Sequence, residues 1–99
     1  MSAQPEPSEL QDLYAFDLGQ HHVQLRASRT GTLSLWLDGC QRKARDPGPD
    51  GVYLWTNVEL PFEDHHLVEV RLQHDGLRVT VNGHLQAHLQ HPATGLIGA

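Results

Sequence analysis

The strongest constraint on the fold is a two-residue alternation of apolar and polar side chains from residue 65 to residue 89. Three segments carry it, HHLVEVRLQ, LRVTV and HLQAHL, separated by Asp75-Gly76 and Asn82-Gly83. A period of two gives one buried face and one wet face. Asp-Gly and Asn-Gly supply the positive φ angles that tight hairpins need. The stretch therefore predicts three antiparallel strands in a meander, and the inward row of the third strand is Leu85, Ala87 and Leu89.

The same period recurs through the preceding part of the chain. It predicts strands over 13–18, 22–28, 33–37, 40–45 and 52–60, the first preferred to a helical turn capped by Ser8. The segment DPGPDG (46–51) breaks regular structure, and Pro61 ends the strand over 52–60. The polar strand over 40–45 suits a sheet edge, where charges discourage pairing between molecules. Seven to eight short strands with meander hairpins predict an all-β fold, a single antiparallel β-sandwich or a small barrel.

Length and composition limit the class of protein. The 99 residues allow one domain, over 11–92, with a disordered tail over 1–10 rich in Pro, Glu, Ser and Gln and a flexible tail over 93–99. The formal charge of -5 disfavours binding to nucleic acid, and no stretch is apolar enough to span a membrane. The N-terminus does not resemble a signal peptide, and the single cysteine cannot form an internal disulfide. We therefore expect a soluble cytoplasmic protein.

Two segments of the chain resemble each other. HHVQLRASRTGTLSLWLDG (21–39) and HHLVEVRLQHDGLRVTVNG (65–83) have equal length and start 44 residues apart. Their second strands are in phase, whereas their first strands match only after a slip of one residue, which sets Val23 against Val68. Two ordinary hairpins with common turns would produce the same likeness, so an internal repeat and a coincidence both remain open.

Eight histidines are unusual for a chain of this size: residues 21, 22, 65, 66, 74, 84, 88 and 91. On a regular strand His84 and His88 share a face but lie roughly 13 Å apart, too far to share a metal ion. A helix over 84–91 would restore such a site, but the alternation favours a strand. We therefore expect no metal site and no cofactor. His21, His22, His65 and His66 could form a pH-sensitive cluster if the fold brings them to one end.

No motif for catalysis is present. Cys40 precedes Gln41-Arg42-Lys43, and nearby cations can activate a thiol, but no base or orienting group accompanies it in the pattern. Glu63-Asp64 is best explained as a polar loop, and Asp38 and Asp75 by their turns. An ordinary thiol and a non-enzymatic protein are therefore expected.

Three aromatic residues, Trp36, Tyr53 and Trp55, carry the outward parity of their strands. If the strands over 33–37 and 52–60 share a sheet, the three rings form an exposed apolar platform for a partner or for stacking on a sugar. Alternatively, another segment covers them as a second core layer. We take the three residues as the candidate binding site.

The order YAFDLGQHHVQLRASRTGTLSLWLDGCQ from Tyr14 resembles the start of the Fas apoptotic inhibitory molecule family. LVEVRLQHDGLRVTVNGHLQ resembles a later strand and aliphatic-Asn-Gly turn of that family. The likeness covers about 70 residues, omits the family's second domain and does not include DPGPDG. It implies a non-enzymatic cytosolic β-sandwich that acts through protein contacts, and no functional residue carries over individually. A fainter similarity links residues 65–85 to laminin-G and legume-lectin-like sandwiches, which are about twice as long.

The sequence thus predicts a small non-catalytic protein-binding module, adaptor or regulator, that uses an exposed aromatic sheet face. A carbohydrate-binding module is the first alternative and a histidine-based metal-binding protein the second. A protein partner is expected, nucleic acid and membranes are not, and pairing of sheet edges could give a homodimer.

Overall fold

The computed structural model describes residues 10–62 and 64–90 and consists of two four-stranded antiparallel sheets. Each sheet is a meander whose strands follow chain order. The first contains β1 (Gln11–Leu18), β2 (His21–Ala27), β3 (Leu33–Leu37) and β4 (Cys40–Arg45). The second contains β5 (Val52–Leu60), β6 (Asp64–Gln73), β7 (Gly76–Val81) and β8 (His84–Leu89). The described residues do not include the expected tails, apart from Leu10. They also do not include Glu63 and His91.

The inner faces of the two sheets pack into one hydrophobic core. Alternate residues of β2, β3, β5, β6 and β7 supply it, and each is at most 2% exposed. These residues are Val23, Leu25, Ala27, Leu33 and Leu35 from the first sheet and Leu54, Val58, Val68, Val70, Leu72, Leu77 and Val79 from the second. Because neither sheet can cover its apolar face alone, the two must stack. The prediction of an antiparallel β-sandwich, including the meander over residues 65–89, is confirmed.

The segment over residues 46–51 joins the two sheets and forms no strand, as its prolines and glycines predicted. Gly48 and Gly51 exchange two backbone hydrogen bonds of 3.0 Å, which close the link into a compact turn. At Gly51 the φ angle is +98°, and a Cβ atom there would lie 1.9 Å from the carbonyl oxygen of Leu72. The chain therefore enters β5 in direct backbone contact with β6, an approach that only glycine permits.

Two tight turns have the same geometry and the same side-chain bond. Asp38-Gly39 and Asn82-Gly83 have positive φ angles at both positions, 52° and 81° in one and 51° and 80° in the other. This is the geometry that two-residue hairpin loops favour. Asp38 Oδ1 accepts a hydrogen bond from the backbone amide of His22 at 2.8 Å, and Asn82 Oδ1 accepts one from that of Leu67 at 2.8 Å.

One expectation for β8 is wrong. A β-bulge shifts the register between Val79 and Thr80, so that Leu85 pairs with Thr80 while Ala87 pairs with Val79. The extra residue turns Leu85 to the outer face, where it is 63% exposed. For the same reason His84, opposite Val81, and His88, opposite Arg78, lie on opposite faces of the sheet and not on one face.

The described part of the chain has no helix with the length and apolar character needed to cross a bilayer.

Candidate binding surface

The structure contradicts the platform of three exposed rings, because Trp36 belongs to neither the same sheet nor the same surface as the other two. Trp36 lies on β3 in the first sheet, whereas Tyr53 and Trp55 lie on β5 in the second. Its side chain does point away from the core, but only 7% of the residue is exposed. Arg26 places its guanidinium carbon 5.1 Å from the ring centroid, and the indole Nε1 donates a 2.8 Å hydrogen bond to Ser34 Oγ. The outer face of this sheet covers its own tryptophan.

Tyr53 and Trp55 form an exposed pair on the outer face of β5, and we call them the β5 aromatic pair. Each is 38% exposed, and they stand two residues apart on the same side of the strand. Leu54 between them and Thr56 beyond them are 0% and 3% exposed and face the core. The β5 strand is also at the edge of its sheet, since β6 is its single neighbour. The pair therefore lies on a surface that a partner can reach from the outer face of the sheet.

Each ring of the β5 aromatic pair lies against a cation. The Nζ atom of Lys43, which crosses from β4, is 4.7 Å from the centroid of Trp55, and Cζ of Arg71 is 4.6 Å from that of Tyr53. A cation over a ring face is attracted by the quadrupole of the ring. Tyr53 also donates a hydrogen bond of 2.5 Å to Glu69 Oε2, which accepts a second bond of 3.2 Å from Arg71.

These contacts affect both the chemistry and the mobility of the pair. The hydrogen bond to the Glu69 carboxylate, followed by burial, raises the pKa of Tyr53 above its usual value of 10.0. Hydrogen bonds and ring contacts also restrict the side-chain rotamers before any partner arrives. A surface that is ordered in advance loses less entropy on binding.

Two open clefts flank β5. One, of about 310 Å³, is lined by Arg42, Lys43, Trp55, Thr56 and Asn57 where the edges of β4 and β5 approach each other. The other, of about 300 Å³, lies at the start of the strand and is lined by Asp50, Gly51, Val52, Tyr53, Arg71, Leu72 and Gln73. One ring of the β5 aromatic pair thus borders each cleft.

Several histidines pair with acids instead of with each other. His21 Nδ1 lies 2.5 Å from Asp38 Oδ2, His22 Nδ1 2.7 Å from Asp17 Oδ1, and His66 Nε2 2.9 Å from Asp64 Oδ2. His21 also joins the sheets, since its Nε2 lies 2.9 Å from the backbone oxygen of Glu59 on β5. Within residues 10–62 and 64–90, no three His, Cys, Asp or Glu side chains converge as metal ligands would.

Cys40 begins β4 as a free, exposed thiol. It lies opposite Leu37 across the turn at Asp38-Gly39. Its place is set by hairpin geometry, and no contact of the described residues gives it a catalytic role.

Two features of the surface were not found from sequence. The sequence places Arg42 and Lys43 on a polar edge strand, and their approach to Trp55 depends on how the two sheets stack. Phe62, which the alternation places in no strand, is 100% exposed at the β5–β6 connection with a φ angle of 66°. A proline followed by an aromatic residue between two strands was the available indication of such a tip.

Comparison with known proteins identifies no function for this surface. No family model, no curated protein and no solved structure matches the chain.

Proposed function

We propose that this protein is a small non-catalytic binding module whose protein partner contacts the outer face of the second sheet at the β5 aromatic pair. The observation that carries the proposal is the exposure of Tyr53 and Trp55, 38% each, side by side on an edge strand. Tryptophan, tyrosine and arginine are the residues in which binding energy concentrates at protein interfaces. The described surface offers all three within one patch, because Arg71 lies against Tyr53.

Binding of carbohydrate is the alternative for the same rings, and the cations over them favour a protein. A sugar stacks on an open aromatic face, but Lys43 covers one face of Trp55 and Arg71 one face of Tyr53. Cations beside rings suit a partner that brings carboxylates together with apolar side chains. The edge of β5 also offers backbone groups to an added strand, so a second copy of the chain is another possible occupant.

The test compares three immobilised proteins for capture from a cell lysate: the unmodified chain, Tyr53→Ala/Trp55→Ala, and Leu85→Ala. Leu85 is a matched control because it is 63% exposed on the outer face of the same sheet, at the opposite edge strand. Loss of an interface anchor costs about 2 kcal/mol or more, so we expect the affinity for a specific protein to fall at least about a hundredfold with the double variant. Capture by Leu85→Ala should not change.

Circular dichroism and the melting temperature establish that both variants are folded, since the substituted side chains lie outside the core. Equal capture by the unmodified and double-variant proteins would contradict the proposal. Capture on a glycan array that depends on Tyr53 and Trp55 would replace the protein partner with a sugar. Self-association that the double variant abolishes in sedimentation would make the partner a second copy.

A further inference from the structure

The cleft between β4 and β5 has a charge opposite to that of the chain. The protein carries seven Lys and Arg residues against twelve Asp and Glu. The lining of the cleft nevertheless contains two cations, Arg42 and Lys43, one indole and no carboxylate. Arg45 extends the same charge along β4. An anionic group entering this cleft is therefore attracted by the cations and meets no acid in the lining.

The cations of β4 are also not neutralised internally. Arg26, Arg71 and Arg78 each contact a carboxylate, at 2.7, 3.2 and 2.9 Å. Among the described residues, none of the three cations of β4 lies within ion-pair distance of an acid. Within residues 10–62 and 64–90, their charge is thus left available to an acidic ligand.

The shape of the cleft favours an extended chain over a small anion. The cleft is open and lies where two edge strands meet, and each edge strand has one hydrogen-bonded neighbour in its sheet. The exposed amide of Asn57 adds a neutral polar group to the lining. In an extended peptide every second side chain points the same way. Such a peptide can direct alternate carboxylates at Arg42 and Lys43 while the side chains between them face away from the cleft.

We infer that the β4–β5 cleft binds an extended acidic segment of a partner protein, with alternate carboxylates of the segment on Arg42 and Lys43. The inference rests on the proposed function and specifies the chemistry of the partner. Lys43 keeps its contact with the ring, since a carboxylate approaches the ammonium from the side away from the indole.

The probe is a fluorescein-labelled peptide of alternating glutamate and valine, titrated by fluorescence anisotropy at low salt. Matched peptides replace glutamate with glutamine or with lysine. We expect the acidic peptide to bind at least about tenfold more tightly than either control, and its affinity to fall as sodium chloride is added, because salt screens exposed charges. Quenching of Trp55 should accompany binding and should be retained in Trp36→Phe.

Variants locate the site. Lys43→Met removes the charge and nearly keeps the length of the side chain, and Arg42→Gln removes the neighbouring charge and leaves a shorter polar side chain. Each should raise Kd for the acidic peptide at least about fivefold. The control is Arg29→Gln, which removes an equal charge from the β2–β3 loop outside the cleft and should leave Kd unchanged.

Three results would overturn the inference: no preference for the acidic peptide, equal losses in Arg29→Gln and Lys43→Met, or tighter binding of a single-stranded oligonucleotide than of the peptide. These outcomes are separable from failure of the proposed function. If partner capture still depends on Tyr53 and Trp55 while the acidic peptide does not bind, the binding face stands and the acidic partner is wrong.

Discussion

At the scale of single residues, the clearest chemical constraint is on His21. Its Nδ1 faces the Asp38 carboxylate at 2.5 Å and its Nε2 faces the Glu59 carbonyl oxygen at 2.9 Å. Both partners are acceptors, so only an imidazolium with a proton on each nitrogen satisfies both. A neutral ring satisfies one of them. The hydrogen bond to Asp38 is the main reason that the pKa of His21 is raised above 6.5, and the bond to Glu59 adds to it against partial desolvation.

The partner carboxyl shifts in the opposite direction. The bond to His21, followed by that to the His22 amide, lowers the pKa of Asp38 below 3.8. A raised histidine pKa contributes stability that is complete below pH 6.5 and lost as pH rises through the folded value. A lowered carboxyl pKa contributes stability above pH 3.8 that is lost as pH falls through its folded value. The His21–Asp38 pair therefore stabilises the fold most between pH 3.8 and pH 6.5.

We predict that His21→Gln destabilises the protein more at pH 5.5 than at pH 8.5. Glutamine cannot carry the charge that the pair uses at the lower pH. Urea unfolding at the two pH values measures the difference, and an NMR titration of His21 gives its pKa. His74→Gln is the control, since His74 is exposed and makes no side-chain hydrogen bond among the described residues. A loss for His21→Gln that is equal at both pH values would contradict the assignment.

Trp36 shows that the alternation predicts which face of a strand a side chain lies on but not how exposed the side chain is. Its parity on β3 was correct, because a strand alternates whatever its surroundings. Its exposure depends on Arg26, which lies on the neighbouring strand and is held by Asp12 at 2.7 Å. That contact needs the register of β1, β2 and β3, which alternation alone does not supply. The exposure expected from outward parity is thus present at Tyr53 and Trp55 and absent at Trp36, and the binding role of the exposed pair stays a prediction.

At the scale of elements, strands were predictable and bulges were not. The bounds of β2, β3, β4, β5 and β7 lie within about one residue of the alternating segments, because period and turn chemistry agree there. In β4 and β8 an extra residue interrupts the ladder, and nothing in the alternation of Leu85, Ala87 and Leu89 reveals it. A bulge exchanges faces for every residue on one side of it. This is why Leu85 is exposed.

The link between the sheets gives the prediction for this scale. Gly51→Ala forces a Cβ atom to within 1.9 Å of the Leu72 carbonyl oxygen while φ is +98°, so β5 must move away from β6. We expect a loss of about 3 kcal/mol or more in the free energy of unfolding. Gly39→Ala is the control, because its φ is +81° but nothing lies within 4 Å of the added atom, and it should cost only about 1–2 kcal/mol. Thermal unfolding of both variants measures the difference, and equal losses would contradict the close approach.

At the scale of the whole molecule, the two sheets follow one plan. The similar segments 21–39 and 65–83 form the central hairpins of the two sheets, β2–β3 and β6–β7. Each hairpin ends in a turn with the same two φ angles and the same bond from a turn side chain to the first strand. In the strand that follows each turn, the extra residue of the bulge is the third after the turn glycine, Arg42 in β4 and Gln86 in β8. Two unrelated hairpins with common turns have no reason to share the position of a bulge. These correspondences therefore favour an internal repeat.

The shared core implies that the two halves unfold together despite this similarity. Each sheet alone exposes the apolar face that the other covers, so neither half retains a core when its partner is lost. The chain provides one fluorescent reporter in each sheet, Trp36 in the first and Trp55 in the second. Trp55→Phe therefore reports on the first sheet and Trp36→Phe on the second.

We predict that each reporter variant gives a urea transition by fluorescence that coincides with its own transition by circular dichroism. We further expect Leu35→Ala, a core truncation in the first sheet, to destabilise by about 2–5 kcal/mol in either background. Trp55 would then respond to a cavity made in the opposite sheet, since the core is continuous. Two separate transitions, or a Trp55 signal that ignores Leu35→Ala, would mean that the sheets are independent units and that the partner surface on β5 does not depend on the first sheet for its stability.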